Sequence, residues 1–530
     1  MRTISIYDTT LRDGAQTVGI SFSLQDKLRI VGELNRLKID YIEGGWPGSN
    51  PKDDLFFREV MSMDLGHSRI VAFGSTRRHG VSCSGDEFLN ALAACGAGIA
   101  TIVAKTWDFQ VSKALGIDLK DNLEMIYSSV AYLKEKGQEV FLDAEHFFDG
   151  YQSNPEYSLE ALAQACKGGA DMVVLCDTNG GTLPAEAQRI TSDIVKAFSV
   201  PVGVHYHNDS GVAVANSLVS ISAGALSVQG TMNGYGERCG NCDLTTLIPN
   251  LVLKMGVGCA SSEALTHLTE ASRFVSETAN LAHNERAPFV GDNAFAHKGG
   301  IHVSALSKDT KTYEHVDPGV VGNHRKVLIS ELAGKSNIEF KAREMGIELK
   351  KDLNLSREIL KKIKCLEDKG YQFEAAEGSF ELLIRKSTGE YEPFFTLKGF
   401  RVITEKREQM ALTCEATIKV EVGGRIEHTA ANGNGPVEAL DNALRKALEK
   451  FYPQIRSIQL NDYKVRVLNE KAGTGAAVRV LIDQKVHSEH WGTVGVSENI
   501  IEASWQALVD GIEYMLFKHT SEKGGSGEAS

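Results

Sequence analysis

Ile4-Ser5-Ile6-Tyr7-Asp8-Thr9-Thr10-Leu11-Arg12-Asp13-Gly14-Ala15-Gln16 opens the chain with a short β-type run that breaks into a polar turn. Working outward, Leu24 to Leu37 places apolar residues at Leu24, Leu28, Val31, Leu34 and Leu37, a helical spacing. Tyr41-Ile42-Glu43-Gly44-Gly45-Trp46 follows as a second strand that ends in glycines. This strand-turn-helix-strand unit then recurs. Further strands are predicted at 69–73, 99–104, 140–145, 171–176, 202–207 and 227–231, with helical stretches such as 159–166 and 184–198 between them. Regular alternation of strand and helix implies a parallel sheet. Eight such units in this length predict an α/β fold with an N-terminal (β/α)8 TIM barrel. An open doubly wound sheet is the alternative, but no GxGxxG or Walker loop follows the first strand to support it.

In a barrel the chemistry gathers at the C-terminal ends of the strands. Polar residues fall there one after another: Arg12-Asp13, Asp143-Ala144-Glu145-His146, Asp177-Thr178-Asn179, His205-Tyr206-His207-Asn208-Asp209, and Gly236-Glu237-Arg238-Cys239-Gly240-Asn241. His205 and His207 are two apart on an extended segment, so both side chains leave the same face. A solvent-facing strand would explain His-x-His alone. With Asp13 added from the first strand, the set is two imidazoles and a carboxylate. That mixture suits Mn²⁺, Zn²⁺, Fe²⁺ or a tolerant Mg²⁺ site. Arg12 beside it places a cation where an oxyanion can develop. Cys239 and Cys242 have no second cysteine pair nearby and are expected to be ordinary buried thiols.

At 530 residues the chain needs two or three domains. A formal net charge of −12 excludes a general nucleic-acid or membrane surface, so an anionic substrate would need a local cation or a metal. No apolar run reaches the roughly 18 residues that span a bilayer. The N-terminus lacks the apolar core of a signal peptide, and nine cysteines without such a signal predict reduced thiols in the cytoplasm.

Three segments together, Asp8–Gly14, His205–Asp209 and Gly236–Asn241, resemble the Claisen-condensing acyltransferases of the TIM-barrel metallolyase superfamily. This is the family of 2-isopropylmalate, homocitrate and citramalate synthases. The stretches Tyr41–Asp53 and Phe295–Ala305 are similar to its citramalate synthase branch. The resemblance implies condensation of acetyl-CoA with pyruvate to (R)-citramalate and CoA, the first step of a pyruvate route to isoleucine. It implies a divalent metal, Mn²⁺ or Mg²⁺ foremost with Zn²⁺ or Co²⁺ compatible, on Asp13, His205, His207 and Asn241. Arg12 would bind substrate and stabilise the alkoxide, Thr178 would hold the substrate carboxylate, and Glu145 would orient substrate or remove the methyl proton. His302 would act as acid or base from a linker, often that of the partner subunit, with Tyr313 as its companion. Phe73, Val103 and Leu142 are candidates for narrowing the keto-acid pocket. A 2-isopropylmalate synthase, a hydroxymethylglutaryl-CoA-type lyase and a non-catalytic sensor are the alternatives.

The expected domains are a barrel over 1–269, helical linker subdomains with an active-site loop over 270–386, a C-terminal α+β pseudo-repeat regulatory domain over 387–520, and a disordered tail over 521–530. The repeat is read from Glu438-Ala439 and Ala443-Leu444, matched by Glu502-Ala503 and Ala507-Leu508, each on a helix after a strand pair. The turn Gly433-Asn434-Gly435-Pro436 could offer backbone N–H groups to a carboxylate. The resemblance implies an isoleucine-sensing regulatory domain and a homodimer.

Overall fold

The computed structural model describes residues 4–328, 334–347, 349, 353–389, 391–409, 411–487 and 489–525. They form two units. The first holds residues up to 295 together with 315–325, and the second holds 296–314 and the chain from 326 onward.

The first unit is a closed barrel of eight parallel strands in sequence order: β1 (Ser5–Asp8), β2 (Tyr41–Gly45), β3 (Arg69–Ser75), β4 (Ile99–Lys105), β5 (Glu139–Glu145), β6 (Met172–Asp177), β7 (Val202–Tyr206) and β8 (Ser227–Gly230). The ring closes where Ser5 pairs with Ser227 and Asp8 with Gly230. Each of the eight barrel strands expected from the sequence is present within two residues of its predicted ends. Alternation sorts their side chains into two layers. Tyr7, Val71, Ile99, Phe141, Met172 and Val174 pack together inside the barrel. Ile6, Ile70, Ile102, Leu142, Val173 and Val228 pack outward against the helices. Helix Leu24–Arg36 shows how those helices are set. Ser23 and Asp26 form a reciprocal capping box at its start, and Ile30, Val31 and Leu34 are buried on its inner face.

The second unit contains the short helix Gly300–Leu306 and then helices Lys335–Glu344, Leu353–Asp368 and Glu377–Thr388, where Ile359 and Ile363 are fully buried in one cluster with Ile338, Phe380 and Ile384. Two similar modules follow. Strands β9 (Thr396–Glu405), β10 (Thr413–Val422) and β11 (Arg425–Gly433) lead into helix Pro436–Leu448. Strands β12 (Gln459–Val467), β13 (Val478–Val486) and β14 (Glu489–Ser497) lead into helix Ile500–Gly525. Each sheet is antiparallel and has three strands, not the pair read from the sequence. The matched residues occupy equivalent places. Ala439, Ala443 and Leu444 pack on Ile418 and Val420, and Ala503, Ala507 and Leu508 pack on Val480 and Ile482.

The last helix runs to Gly525, so 521–525 are helical where a disordered tail was expected; 526–530 lie outside the described residues. Among the described residues no helix is long and apolar enough to cross a membrane.

Candidate active site

The turn after β1 is built before any ligand arrives. The buried Asp8 carboxylate accepts from Thr10 N at 2.9 Å and Thr10 Oγ1 at 2.8 Å, and Thr10 Oγ1 accepts from Met232 N at 2.9 Å. This stitches the β1 and β8 loops together and presents Arg12 and Asp13 at the barrel mouth. Burial pushes the Asp8 carboxyl up to about 7, against the pull of its Thr10 hydrogen bonds.

A cavity of about 270 Å³ opens there, lined by Arg12, Asp13, Phe73, Asp143, Glu145, Thr178, His205 and His207 among others. The donor atoms of Asp13, His205 and His207 all lie within 4.8 Å of one another, and all three residues are buried. His205 Nε2 is 3.3 Å and His207 Nε2 3.9 Å from the same oxygen, Asp13 Oδ2. The imidazole centroids are 5.2 Å apart, as a shared strand face dictates. Burial raises the cost of charge on Asp13, but the Arg12 and imidazole charges outweigh it and hold the carboxyl below its usual range. Burial and the neighbouring His205 lower His207 to about 4, so it is a neutral donor at neutral pH.

Two buried atoms beside this cluster lack any hydrogen-bond partner: His207 Nδ1 and Asn241 Oδ1. Asn241 pairs with His207 through an isolated antiparallel bridge and donates Nδ2 to Tyr235 O at 3.1 Å. Its carbonyl oxygen is thus an unused acceptor. Close packing fixes this loop, for a Cβ at Gly236 would lie 2.2 Å from Asn241 Nδ2. Converging nitrogen and oxygen donors with an orphaned amide oxygen at their side fit a divalent cation.

Arg12 is aimed by partners that the sequence reading did not single out. Its Nε donates to Glu43 Oε1 at 2.5 Å, and its guanidinium lies 3.9 Å over the Phe73 ring. Glu43 is fully buried on β2 and also accepts from Tyr7 OH at 2.6 Å. Burial disfavours the Arg12 charge, but Glu43 and then Asp13 outweigh it and raise its pKa further. Asp143 on β5 is pushed up to about 7 by burial and by the Glu43 charge. Gln229 on β8 lies between Asp143 and His205. Glu43, Asp143 and Gln229 carry one shared sequence signal: each is a polar residue that directly follows an aliphatic one inside a barrel strand.

Thr178 lines the cavity, and its Oγ1 accepts from His146 N at 2.9 Å, which leaves its own proton free for a ligand. Glu145 ends β5 on the cavity wall, ion-paired with Lys105 at the end of β4. Phe73 and Val103 line the cavity. Leu142 does not, because its parity on β5 turns it into the outer layer. His302 and Tyr313 belong to the second unit, where their rings stack at 4.1 Å on exposed faces. The structure brings these two together with each other. Cys242 is buried, with Ser217 Oγ donating to its sulfur at 3.2 Å, but Cys239 is exposed. The left-handed turn at Arg238 and Gly240 directs it outward. Arg238 itself ties three loops by donating to Asp209 at 2.8 Å and to Thr178 O at 2.7 Å.

In the second unit a cavity of about 310 Å³ is lined by Val437, Glu438, Asp441, Arg445, Tyr463 and Leu508 among others. In the 433–436 turn the Asn434 N–H expected to meet a ligand instead donates to Glu438 Oε2 at 2.7 Å. The protein's own carboxylate takes the place predicted for a ligand.

Comparison with known proteins agrees with this architecture. The HMGL-like family matches residues 3–275, the homocitrate synthase post-HMGL domain-like family 289–371, and the LeuA allosteric (dimerisation) domain 374–516. The chain is 53% identical over 525 residues to an (R)-citramalate synthase of Geobacter sulfurreducens, with 99% of each chain covered. It is 51% identical over 523 residues to an (R)-citramalate synthase of Synechocystis, with 96% of each covered. A 2-isopropylmalate synthase of Methanocaldococcus jannaschii is 31% identical over 527 residues, covering 97% of this chain and 95% of that one. A barrel with two histidines and an aspartate at its mouth, followed by a region that matches the LeuA allosteric (dimerisation) domain, and full-length identity above one half place this chain as an enzyme of the (R)-citramalate synthase family.

Proposed function

We propose that the protein condenses acetyl-CoA with pyruvate and hydrolyses the resulting thioester, giving (R)-citramalate and CoA. The reading is carried by one observation: Asp13, His205 and His207 converge in a cavity that Arg12 and Thr178 also face. When held by these three side chains, with Asn241 completing the set, a divalent ion (Mn²⁺ or Mg²⁺) supplies Lewis-acid polarisation of the keto group. Thr178 donates its free hydroxyl proton to the pyruvate carboxylate. Glu145, held by Lys105, orients the acetyl group. The methyl proton is taken by Glu145 or by His302, the candidate acid or base that the linker carries with Tyr313 as its companion. The new carbon–carbon bond forms as the keto oxygen takes the electron pair, and Arg12 stabilises that alkoxide from a direction set by Glu43. Water then attacks the thioester carbonyl, and the carbon–sulfur bond breaks to release the CoA thiol.

Phe73 and Val103 restrict the keto acid to a small one. The second-unit cavity joins apolar walls to Asp441, Glu438 and Arg445, which suits an amino acid zwitterion with a branched side chain, and isoleucine is the inhibitor this reading assigns. The working molecule is a cytoplasmic homodimer of barrel, linker and regulatory domains.

The test is thiol release from acetyl-CoA by Mn²⁺-loaded protein with pyruvate, 2-oxoisovalerate, 2-oxobutyrate or 2-oxoglutarate, each with and without isoleucine or leucine. Preference for pyruvate with isoleucine inhibition is expected. Preference for 2-oxoisovalerate with leucine inhibition would replace the substrate, and no release with any keto acid would overturn the condensation itself.

A further inference from the structure

Behind the cation site runs a short chain of hydrogen bonds with a definite direction. His205 Nδ1 lies 2.8 Å from Gln229 Oε1, and Gln229 Nε2 lies 2.9 Å from Asp143 Oδ1. Both bonds are buried, Gln229 being 1% exposed. An amide has one accepting and one donating end. When ionised, Asp143 can only accept, so it claims the NH₂ end of Gln229. The amide oxygen is then left facing His205, where it can only accept. His205 must therefore carry a proton on Nδ1, so Nε2, which lies 3.3 Å from Asp13 Oδ2, is the nitrogen that faces the cluster and is freed to ligate when a cation replaces its proton. A histidine with the opposite tautomer would aim an N–H at that place and could not ligate.

We propose that Gln229 is a positioning residue whose amide, oriented by Asp143, fixes the His205 tautomer for cation binding. The inference rests on the reading of Asp13, His205 and His207 as the cation site. It extends the site to β8 and β5, two strands that contribute no ligand themselves. Partners of this kind commonly govern metal affinity by about 10–100-fold. The role differs from packing, because it depends on which end of the residue accepts and which donates.

That polarity dictates the experiment. Gln229→Met keeps the length of the side chain and removes the acceptor. The double variant Gln229→Glu with Asp143→Asn exchanges the amide and the carboxylate. It keeps the net charge and an acceptor for His205 Nδ1–H, while the new amide donates to the new carboxylate. Mn²⁺ affinity of the metal-stripped full chain is measured by titration at about pH 8, above the Asp143 titration. Long-range proton–nitrogen spectra of histidine-labelled, metal-free protein report the His205 tautomer. Gln229→Met should bind Mn²⁺ about 10–100-fold more weakly and lose the Nδ1–H signature. The exchanged pair should recover both, to within about threefold of the parent affinity. Wild-type affinity in Gln229→Met, or an exchanged pair that binds no better than Gln229→Met, would overturn the proposal. Should Gln229→Met fail to fold, the exchanged pair decides alone: the His205 Nδ1–H signature with near-parent affinity supports the relay, and its loss refutes it. A parent protein that binds no Mn²⁺ would instead refute the cation site on which the inference stands.

Discussion

Removing Glu43 tests how the barrel aims Arg12 into the cavity that also holds Asp13, His205 and His207. The carboxylate is fully buried and holds Arg12 Nε at 2.5 Å and Tyr7 OH at 2.6 Å. Glu43→Ala deletes one partner of a buried ion pair, a change that costs about 3–5 kcal/mol. The expected loss lies near the lower end, because Asp13 Oδ2 remains 3.8 Å from Arg12 Nη1 and offsets part of the charge. Glu43→Gln keeps an acceptor for Nε and gives up only the charge assistance, a difference of about 1 kcal/mol. Urea unfolding of parent and variants reads these values directly. Turnover follows a different logic. Loss of one oxyanion donor costs about 10²–10³-fold in kcat. In Glu43→Ala the donor is still present but no longer aimed, and it can swing onto Asp13, so kcat should fall by about 10–100-fold and Mn²⁺ affinity should drop with it. Glu43→Ala with stability within about 0.5 kcal/mol of the parent and unchanged kcat would refute the reasoning.

Three further outcomes are expected. Asp13→Ala should abolish turnover and Mn²⁺ binding while circular dichroism and the melting transition stay close to the parent; measurable turnover would overturn the ligand assignment. Val103→Ala enlarges the cavity wall and should shift the ratio of kcat/KM for 2-oxobutyrate over pyruvate by about tenfold, since each methylene is worth about 1–3 kcal/mol. Asp8 supplies a pH test. Its folded pKa is raised to about 7 by burial, whereas an unfolded aspartate titrates near about 4. Between these values the folded state holds the extra proton, so the stability Asp8 contributes is full below about pH 4 and is lost as pH rises through about 7. The stability of the parent relative to Asp8→Asn should therefore fall from about pH 4 to about pH 8, and a difference independent of pH would remove Asp8 from the account.

The barrel was legible because its signals are local. A period of two in a strand and 3.6 in a helix can be read within a dozen residues, and eight such units leave few architectures. The same holds for the paired Ala439/Ala503 and Ala443/Ala507 positions, whose repetition reflects one packing problem solved twice. His205 and His207 could be assigned to one face from strand geometry alone, and closure of the barrel then brings Asp13 beside them.

Parity along one strand cannot say which distant side chain stands opposite. Glu43 meets Arg12 across 31 positions, and Gln229 meets Asp143 across 86. Those partnerships exist only because the ring closes in a particular register, with Ser5 beside Ser227. Leu142 shows the same limit from the other side, for a strand residue of suitable size was a fair candidate until its direction was known. The Asn434 turn shows that a plausible anion cradle can be filled by the chain itself. The residue types and periodicities thus determined the barrel, the shared face of His205 and His207, and the repeat of the two strand-and-helix modules. Only tertiary packing decided the hydrogen-bond partners that orient Arg12 and His205, because hydrogen bonds depend on ångström-scale position and on donor direction, which a one-dimensional pattern does not carry.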